Sequence, residues 1–155
     1  MFGRKGVHAM AEITASNLSK HLIAHCSGIS NLKLQKLLYY SQAWMLAIYG
    51  KPLFDDRIEA WVHGPVVPSV FRKYRDFKWS PLTTEVKVEV SPLVSKHVDE
   101  VLKAYGHLQA SALERLTHSE DPWKEARAGL APDMSSTKEI TQASMEKYYS
   151  ARVNG

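Results

Sequence analysis

Between Ser30 and Gly50 runs the stretch that most limits what this chain can become. Leu34, Leu37, Leu38, Ser41, Trp44, Met45 and Ile48 recur at the spacing of one face of an α-helix. Ser30 or Asn31 can cap the start, because a short polar side chain accepts from the free N–H groups of a first turn. Gly50 and Pro52 end it, the first by tolerating a left-handed turn and the second by refusing to continue the helix. So long an apolar helix needs partners, and the spacing predicts the spine of one core. At 155 residues the chain has the length of a single domain, a size that hides about 70% of the surface of the unfolded chain.

The flanking patterns predict what packs on that spine. A shorter helix is expected over 16–26, with Leu18, Leu22 and Ile23 on one side and Gly28 beyond it. Over 57–63 the period changes, because Ile58, Ala60 and Val62 alternate with Arg57, Glu59 and Trp61, the repeat of a strand, up to Gly64-Pro65. A third helix starts at Pro65 or Pro68 and carries Val67, Val70, Phe71 and Tyr74 until it fades near Asp76. Residues 84–90 read Thr-Glu-Val-Lys-Val-Glu-Val, a half-buried strand that can pair with the first. Ser91-Pro92 opens a fourth helix lined by Val94, Val98, Val101, Leu102 and Tyr105 and closed by Gly106. Ser111 with Glu114 and Ser136 with Glu139 have capping-box spacing, the first for a short helix through Leu113 and Leu116, the second for a closing helix with Ile140, Ala143, Ser144 and Tyr148. Asp121-Pro122-Trp123 starts a further turn that stops at Gly129. The expected fold class is mainly α (α+β), about seven helical segments packed around a small two-stranded sheet. Residues 12–152 are expected to form one domain and residues 1–11 a flexible extension, with Met10 competing with Met1 as the start.

Composition excludes several classes. Hydrophobic residues make up 45% and charged residues 23%, ordinary globular values. A net charge of +4 is a small excess beside the dense basic stripes of duplex-DNA binders. The one cysteine, Cys26, rules out an internal disulfide and reads as a small buried apolar residue in a reducing compartment. No apolar stretch approaches the roughly 18 residues of a membrane span, and no leader-like apolar run follows Arg4 and Lys5. The expected location is the cytoplasm.

Several groups deserve a chemical hearing. His63-Gly64-Pro65 puts an imidazole beside a helix start, where free N–H groups attract anions, yet it reads better as a strand-to-helix turn. His118, Glu120 and Asp121 crowd a second turn without the spacing that places two metal ligands on one helical face, and are read as capping groups. His21 and His25 do share a helical face, but no third ligand is recognisable, and they are read as a solvated pair. Nucleophile elbow, P-loop and dinucleotide fingerprint are all missing from the sequence, so neither catalysis, cofactor nor metal is expected. Trp44 and Trp61 are read as core. The run Arg72-Lys73-Tyr74-Arg75-Asp76-Phe77-Lys78-Trp79 differs, since it gathers four cations and three aromatics at a helix end. Arg and aromatic residues dominate protein interfaces, so Arg72, Lys73, Arg75, Phe77, Lys78 and Trp79 are the candidates for binding a partner. The alternative is a loop that folds its aromatics back on the core.

The order of motifs carries a resemblance. Leu34-Gln35-Lys36-Leu37-Leu38-Tyr39-Tyr40-Ser41-Gln42-Ala43, then Gly50-Lys51-Pro52-Leu53-Phe54, Ile58-Glu59-Ala60-Trp61 and Gly64-Pro65-Val66 resemble the core signature of the Panacea domain of SocA-like antitoxins and phage-associated GepA-like proteins. His118-Ser119-Glu120-Asp121-Pro122-Trp123 with Arg127, and Tyr148-Tyr149, resemble that family's carboxyl-terminal signature. The resemblance implies a mostly helical bacterial or phage antitoxin that neutralises a cognate toxin, encoded by an adjacent gene, through direct protein contact. It implies a fold-defining role for Leu37, Tyr39, Gln42, Trp61, Gly64, Pro65 and Trp123, and no catalytic residue. Two other readings remain: an adaptor that hands the toxin to a protease, and a nucleic-acid-binding regulator. The pI near 9.1 and the basic aromatic run favour the last, while the modest charge and the lack of a recognition helix oppose it.

Overall fold

The computed structural model describes residues 11–84 and 86–153. Apart from Ala11, the expected extension over 1–11 lies outside them, as does the choice between Met1 and Met10. The elements are α1 (Ala15–His25), α2 (Asn31–Tyr49), β1 (Glu59–Trp61), β2 (Gly64–Val66), α3 (Pro68–Lys73), a 3₁₀ turn (Arg75–Phe77), α4 (Pro92–Tyr105), α5 (Ala110–Ser119), α6 (Asp121–Ala126) and α7 (Gln142–Ser150). The fold is mainly α with a small two-stranded antiparallel sheet.

Helix α2 is the spine the apolar spacing calls for. Ser30 caps it by accepting from the Lys33 N–H, and Gly50, at φ 69°, returns its N–H to the Leu46 carbonyl. Helices α1, α3, α4, α5 and α7 and strand β2 all pack on it. From Leu34 to Ala43 every residue is buried, Gln35, Lys36, Ser41 and Gln42 included. A helix in the centre of a domain is buried all round rather than along one stripe, and its polar groups then need partners. Gln42 supplies three of these bonds: its Nε2 donates to the Phe54 carbonyl at 2.7 Å while its Oε1 accepts from Leu53 and Phe54 N–H at 2.7 and 3.2 Å. Gln35 Oε1 accepts from Val67 N–H at 2.9 Å, and buried His97 meets the Ser41 carbonyl at 2.9 Å. Ile48 breaks the expected face. It is 51% exposed because the last turn of α2, from Ile48 to Gly50, projects past the core.

The sheet is a hairpin, with Glu59 opposite Val66, Ala60 opposite Pro65 and Trp61 opposite Gly64. On the far side of β1 the Ala60 N–H donates to Lys138 O and Ile140 N–H to Ile58 O, both at 2.8 Å. Both edges of β1 are therefore taken, which corrects the expected pairing with 84–90: residues 84 and 86–90 form no strand. Pro65 lies in β2, so the third helix begins at Pro68. The two capping boxes also fail. Gln109 precedes α5 without a side-chain cap, and Glu114 turns to His63 at 3.2 Å. The Glu139 carboxylate accepts instead from Arg57 at 3.4 Å while its main chain lies opposite Glu59 beside the sheet, and α7 starts later, with Thr141 Oγ1 accepting from Ser144 N–H at 3.0 Å.

The end of α5 is fastened by a buried aromatic network. Glu120 N-caps α6 without a side-chain bond to it, which corrects the reading of Glu120 as a capping group. Its Oε1 accepts instead from Tyr40 and Tyr149 hydroxyls, at 2.7 and 2.8 Å. Because Tyr149 spends its proton on Glu120, the 3.0 Å contact with Tyr39 is one in which Tyr39 donates. Tyr40 stacks on Tyr105 at 4.0 Å, and Tyr105 accepts from Trp44 Nε1 at 2.8 Å. Burial pushes the Glu120 carboxyl up, against the pull of the two tyrosine donors. Removing the carboxylate leaves the Tyr40 hydroxyl unpaired and the Tyr149 hydroxyl without its acceptor, at about 1–3 kcal/mol for an unpaired group, partly offset by relief of a desolvated charge. Glu120→Ala is expected to lower the unfolding free energy in urea by about 2 kcal/mol; a change near zero would show that the hydroxyls find other partners.

Candidate partner-binding surface

Helix α3 starts on Pro68, whose ring fits a first helical turn, and stops at Tyr74. The 3₁₀ turn then leads to Lys78, which sits at φ 53° and reverses the chain. That reversal separates the aromatics. Tyr74 is buried, and Phe77 lies edge-on to it at 6.1 Å, half-buried against the core. Trp79, beyond the reversal, is 80% exposed. Arg72, Lys73, Arg75 and Lys78 are exposed. Lys73 Nζ donates to Ser16 Oγ at the start of α1. The segment is thus divided: Tyr74 and Phe77 fold back on the core, while the indole and the cations face outward.

The signature positions gather inside. Leu37 is buried in α2, Tyr39 and Gln42 hold the contacts given above, and Pro65 is buried in β2. Trp61 is half-buried, lies 5.1 Å from the Phe71 ring, and donates from Nε1 to Glu59 at 2.8 Å. Trp123 is 5% exposed and donates to the Trp61 carbonyl at 2.8 Å, which ties α6 to the hairpin. Gly64 has φ 109°, and a Cβ there would stand 2.7 Å from Lys36 Cε and 3.0 Å from Thr117 Oγ1. Glycine leaves room for the Lys36 stem to pass beneath the hairpin.

Sequence reasoning missed Lys36 and Arg127 as interior cations. Arg127 is 2% exposed, donates to Ala60 O at 3.1 Å and Ala131 O at 2.9 Å, and lies over the Trp123 ring at 4.6 Å. Lys36 is 1% exposed and reaches one carbonyl, Pro65 O, at 3.4 Å. Burial pulls its amine down to about 8, with Glu114 acting the other way. A signal existed for Lys36, since it lies one residue from Leu37 inside a helix apolar on several sides. His118 stacks on Trp123 at 3.9 Å and its Nε2 is buried without a partner among the described residues, so it is a packing group and not a cap.

The His21 and His25 rings lie 4.1 Å apart, tilted by 33°, with His25 Nδ1 on the His21 carbonyl. His21 is buried, contrary to the solvated pair expected, because α1 turns that face inward. Cys26 is half-buried at the end of α1. Among the described residues no group of three or more His, Cys, Asp or Glu is placed to hold a metal ion. None of the described helices is long and apolar enough to cross a membrane. What the surface offers chemically is an exposed indole among cations.

The signature of the SocA-like antitoxin family, Panacea domain, matches residues 34–124. The chain belongs to this family. The matched window of this Panacea domain holds most of α2, the hairpin, the Arg72 to Trp79 segment, α4, α5 and most of α6, and leaves out Tyr149 and α7. Antitoxin SocA of Caulobacter vibrioides is 36% identical over 110 residues, which are 61% of this chain. The match spans 58% of that protein's own length. No solved structure matches the chain.

Lys36 gives a test of how the interior balances charge. At pH 7 its amine is charged in both folded and unfolded chains, so folding carries the cost of burying it. As the pH rises through about 8 the folded amine loses its proton, and the cost is gone above the unfolded value of 10.5. Lys36→Met keeps the stem's volume without the charge. It is expected to be more stable than the parent at pH 7 by on the order of 3 kcal/mol, with the gap closing towards pH 10. Equal stability at both pH values, followed by chemical denaturation, would contradict an uncompensated buried charge.

Proposed function

We propose that this Panacea domain is the antitoxin of a toxin–antitoxin pair, acting in the cytoplasm by binding and not by turnover. It neutralises a cognate toxin, encoded by the adjacent gene, through direct protein contact on the surface around Trp79. The observation that carries this reading is the indole itself, 80% exposed at the tip of a reversed turn and flanked by Arg72, Arg75 and Lys78. An indole offers about 150–250 Å² to a partner. At about 25 cal/mol per Å² that is on the order of 4–6 kcal/mol before ordering costs are subtracted. Such a residue left in water is characteristic of interface anchors. The cations around it call for an acidic toxin surface with an apolar pocket, and charge of that kind governs encounter more than final affinity. Residues 12–152 form the binding domain in this reading.

Co-expression of the adjacent gene with and without this protein, followed by pull-down, tests it: rescue with a co-purifying toxin is expected. Trp79→Ala should leave the melting temperature within about 1 °C of the parent, since the side chain touches little, and weaken toxin affinity about tenfold or more. Arg75→Glu with Lys78→Glu should slow association, most at low salt. Full rescue and unchanged affinity in both variants would move the toxin site elsewhere.

A further inference from the structure

The connection from the 3₁₀ turn to α4 shows no regular structure in any of its described residues, a length that is unusual in a compact domain without a role. Within it Val86-Lys87-Val88-Glu89-Val90 has strand composition, with β-branched residues alternating with charges. The charges face solvent, Val88 and Val90 are half-buried, and Val86 is 55% exposed. Val90 packs on the core, and Val86 at the other end of the segment is left exposed. Val86 N–H reaches the Thr84 hydroxyl at 3.3 Å. Among the described residues the main chain of Lys87, Val88 and Glu89 makes no hydrogen bond. Strand β1 offers it no edge, because β2 and residues 138–140 occupy both of them.

We propose that residues 86–90 pair antiparallel with the same residues of a second copy of this chain, forming a two-fold symmetric dimer. The charge pattern fixes the register. With Val88 opposite Val88, each Lys87 faces the other copy's Glu89, and the exposed Val86 covers the other copy's Val90. A shift by two residues one way sets Lys87 against Lys87, and the other way Glu89 against Glu89. A shift by one sets lysine against valine. Directly opposed unlike charges stabilise a strand pair and like charges oppose it, so within residues 86–90 only this register opposes lysine to glutamate, and a two-fold axis through Val88 uses it twice. The occupant is therefore the chain itself. A short ribbon alone is marginal, and the dimer is expected to be weak, with dissociation at about 100 µM.

Sedimentation equilibrium of the full chain from about 10 to 500 µM tests the proposal. A monomer–dimer equilibrium is expected, weakened at least tenfold by Lys87→Glu and likewise by Glu89→Lys, since each variant places like charges face to face. The double variant Lys87→Glu/Glu89→Lys restores the unlike pairs and should recover the parent dimer. So should an equimolar mixture of the two single variants, as a heterodimer. Unchanged melting temperatures would confirm that the exposed substitutions leave the fold intact. A monomer at every concentration overturns the proposal. So does a dimer indifferent to the single variants, or one that neither the double variant nor the mixture restores.

Discussion

A helix buried on every side can carry polar side chains only where other segments come to satisfy them, and α2 sets that condition for the rest of the chain. Gln42 draws in the loop after α2 through Leu53 and Phe54. Gln35 holds Val67 at the start of α3, so the exit of the hairpin is fixed from inside. The Ser41 carbonyl takes His97 from α4, and Tyr39 and Tyr40 reach Tyr149 and Glu120. Each bond joins α2 to a different later element. Hydrophobic burial drives the collapse, but these contacts decide which loop lies against which turn of the spine. A slip of one residue along α2 would leave several buried groups unpaired together.

Lys36 is the exception within this scheme. Its ammonium has one carbonyl at 3.4 Å where a fully satisfied one would have three acceptors. The hairpin accommodates it at a further conformational cost, because Gly64 adopts φ 109°, a region closed to most side chains. Arg127 shows the better-compensated case, with carbonyls of Ala60 and Ala131 and the face of Trp123 around its guanidinium. Both cations lie near β1 and β2, a sheet too short to hold itself together by its own ladder. Strand β1 is braced from three sides: β2, residues 138–140, and the Trp123 and Arg127 side chains on its carbonyls.

Much of this was legible in the sequence. The apolar spacing of α2 and its caps at Ser30 and Gly50 are local facts, and the same holds for α4 between Ser91 and Gly106. The misreadings share a cause. Ser111–Glu114 and Ser136–Glu139 have the spacing of capping boxes, but the Glu114 and Glu139 side chains found partners far along the chain in His63 and Arg57. The valine alternation over 86–90 records strand propensity correctly and says nothing of whether an edge is free. Glu120 looked like a cap because capping is local, while Tyr40 and Tyr149, separated from it by 80 and 29 residues, were out of view. Of the candidate surface, composition picked out the segment, and only the backbone reversal at Lys78 separates outward Trp79 from inward Phe77.

The same reversal explains why exposed chemistry collects between α3 and α4. That connection is pinned in few places: Leu82, 5% exposed, donates its N–H to Ile29 O at 2.8 Å, and Val90 rests on the core before Ser91 caps α4. Between the pins the chain has no duty to α2, so its side chains are not selected for burial. The first free stretch, ahead of Leu82, presents the indole among cations. The second, beyond it, presents Lys87, Glu89 and a main chain that over Lys87 to Glu89 makes no hydrogen bond among the described residues. An exposed indole and a segment of strand composition have different chemical demands. One surface can therefore serve two partners only if they meet these stretches separately, and Leu82 is the fixed point that keeps them apart.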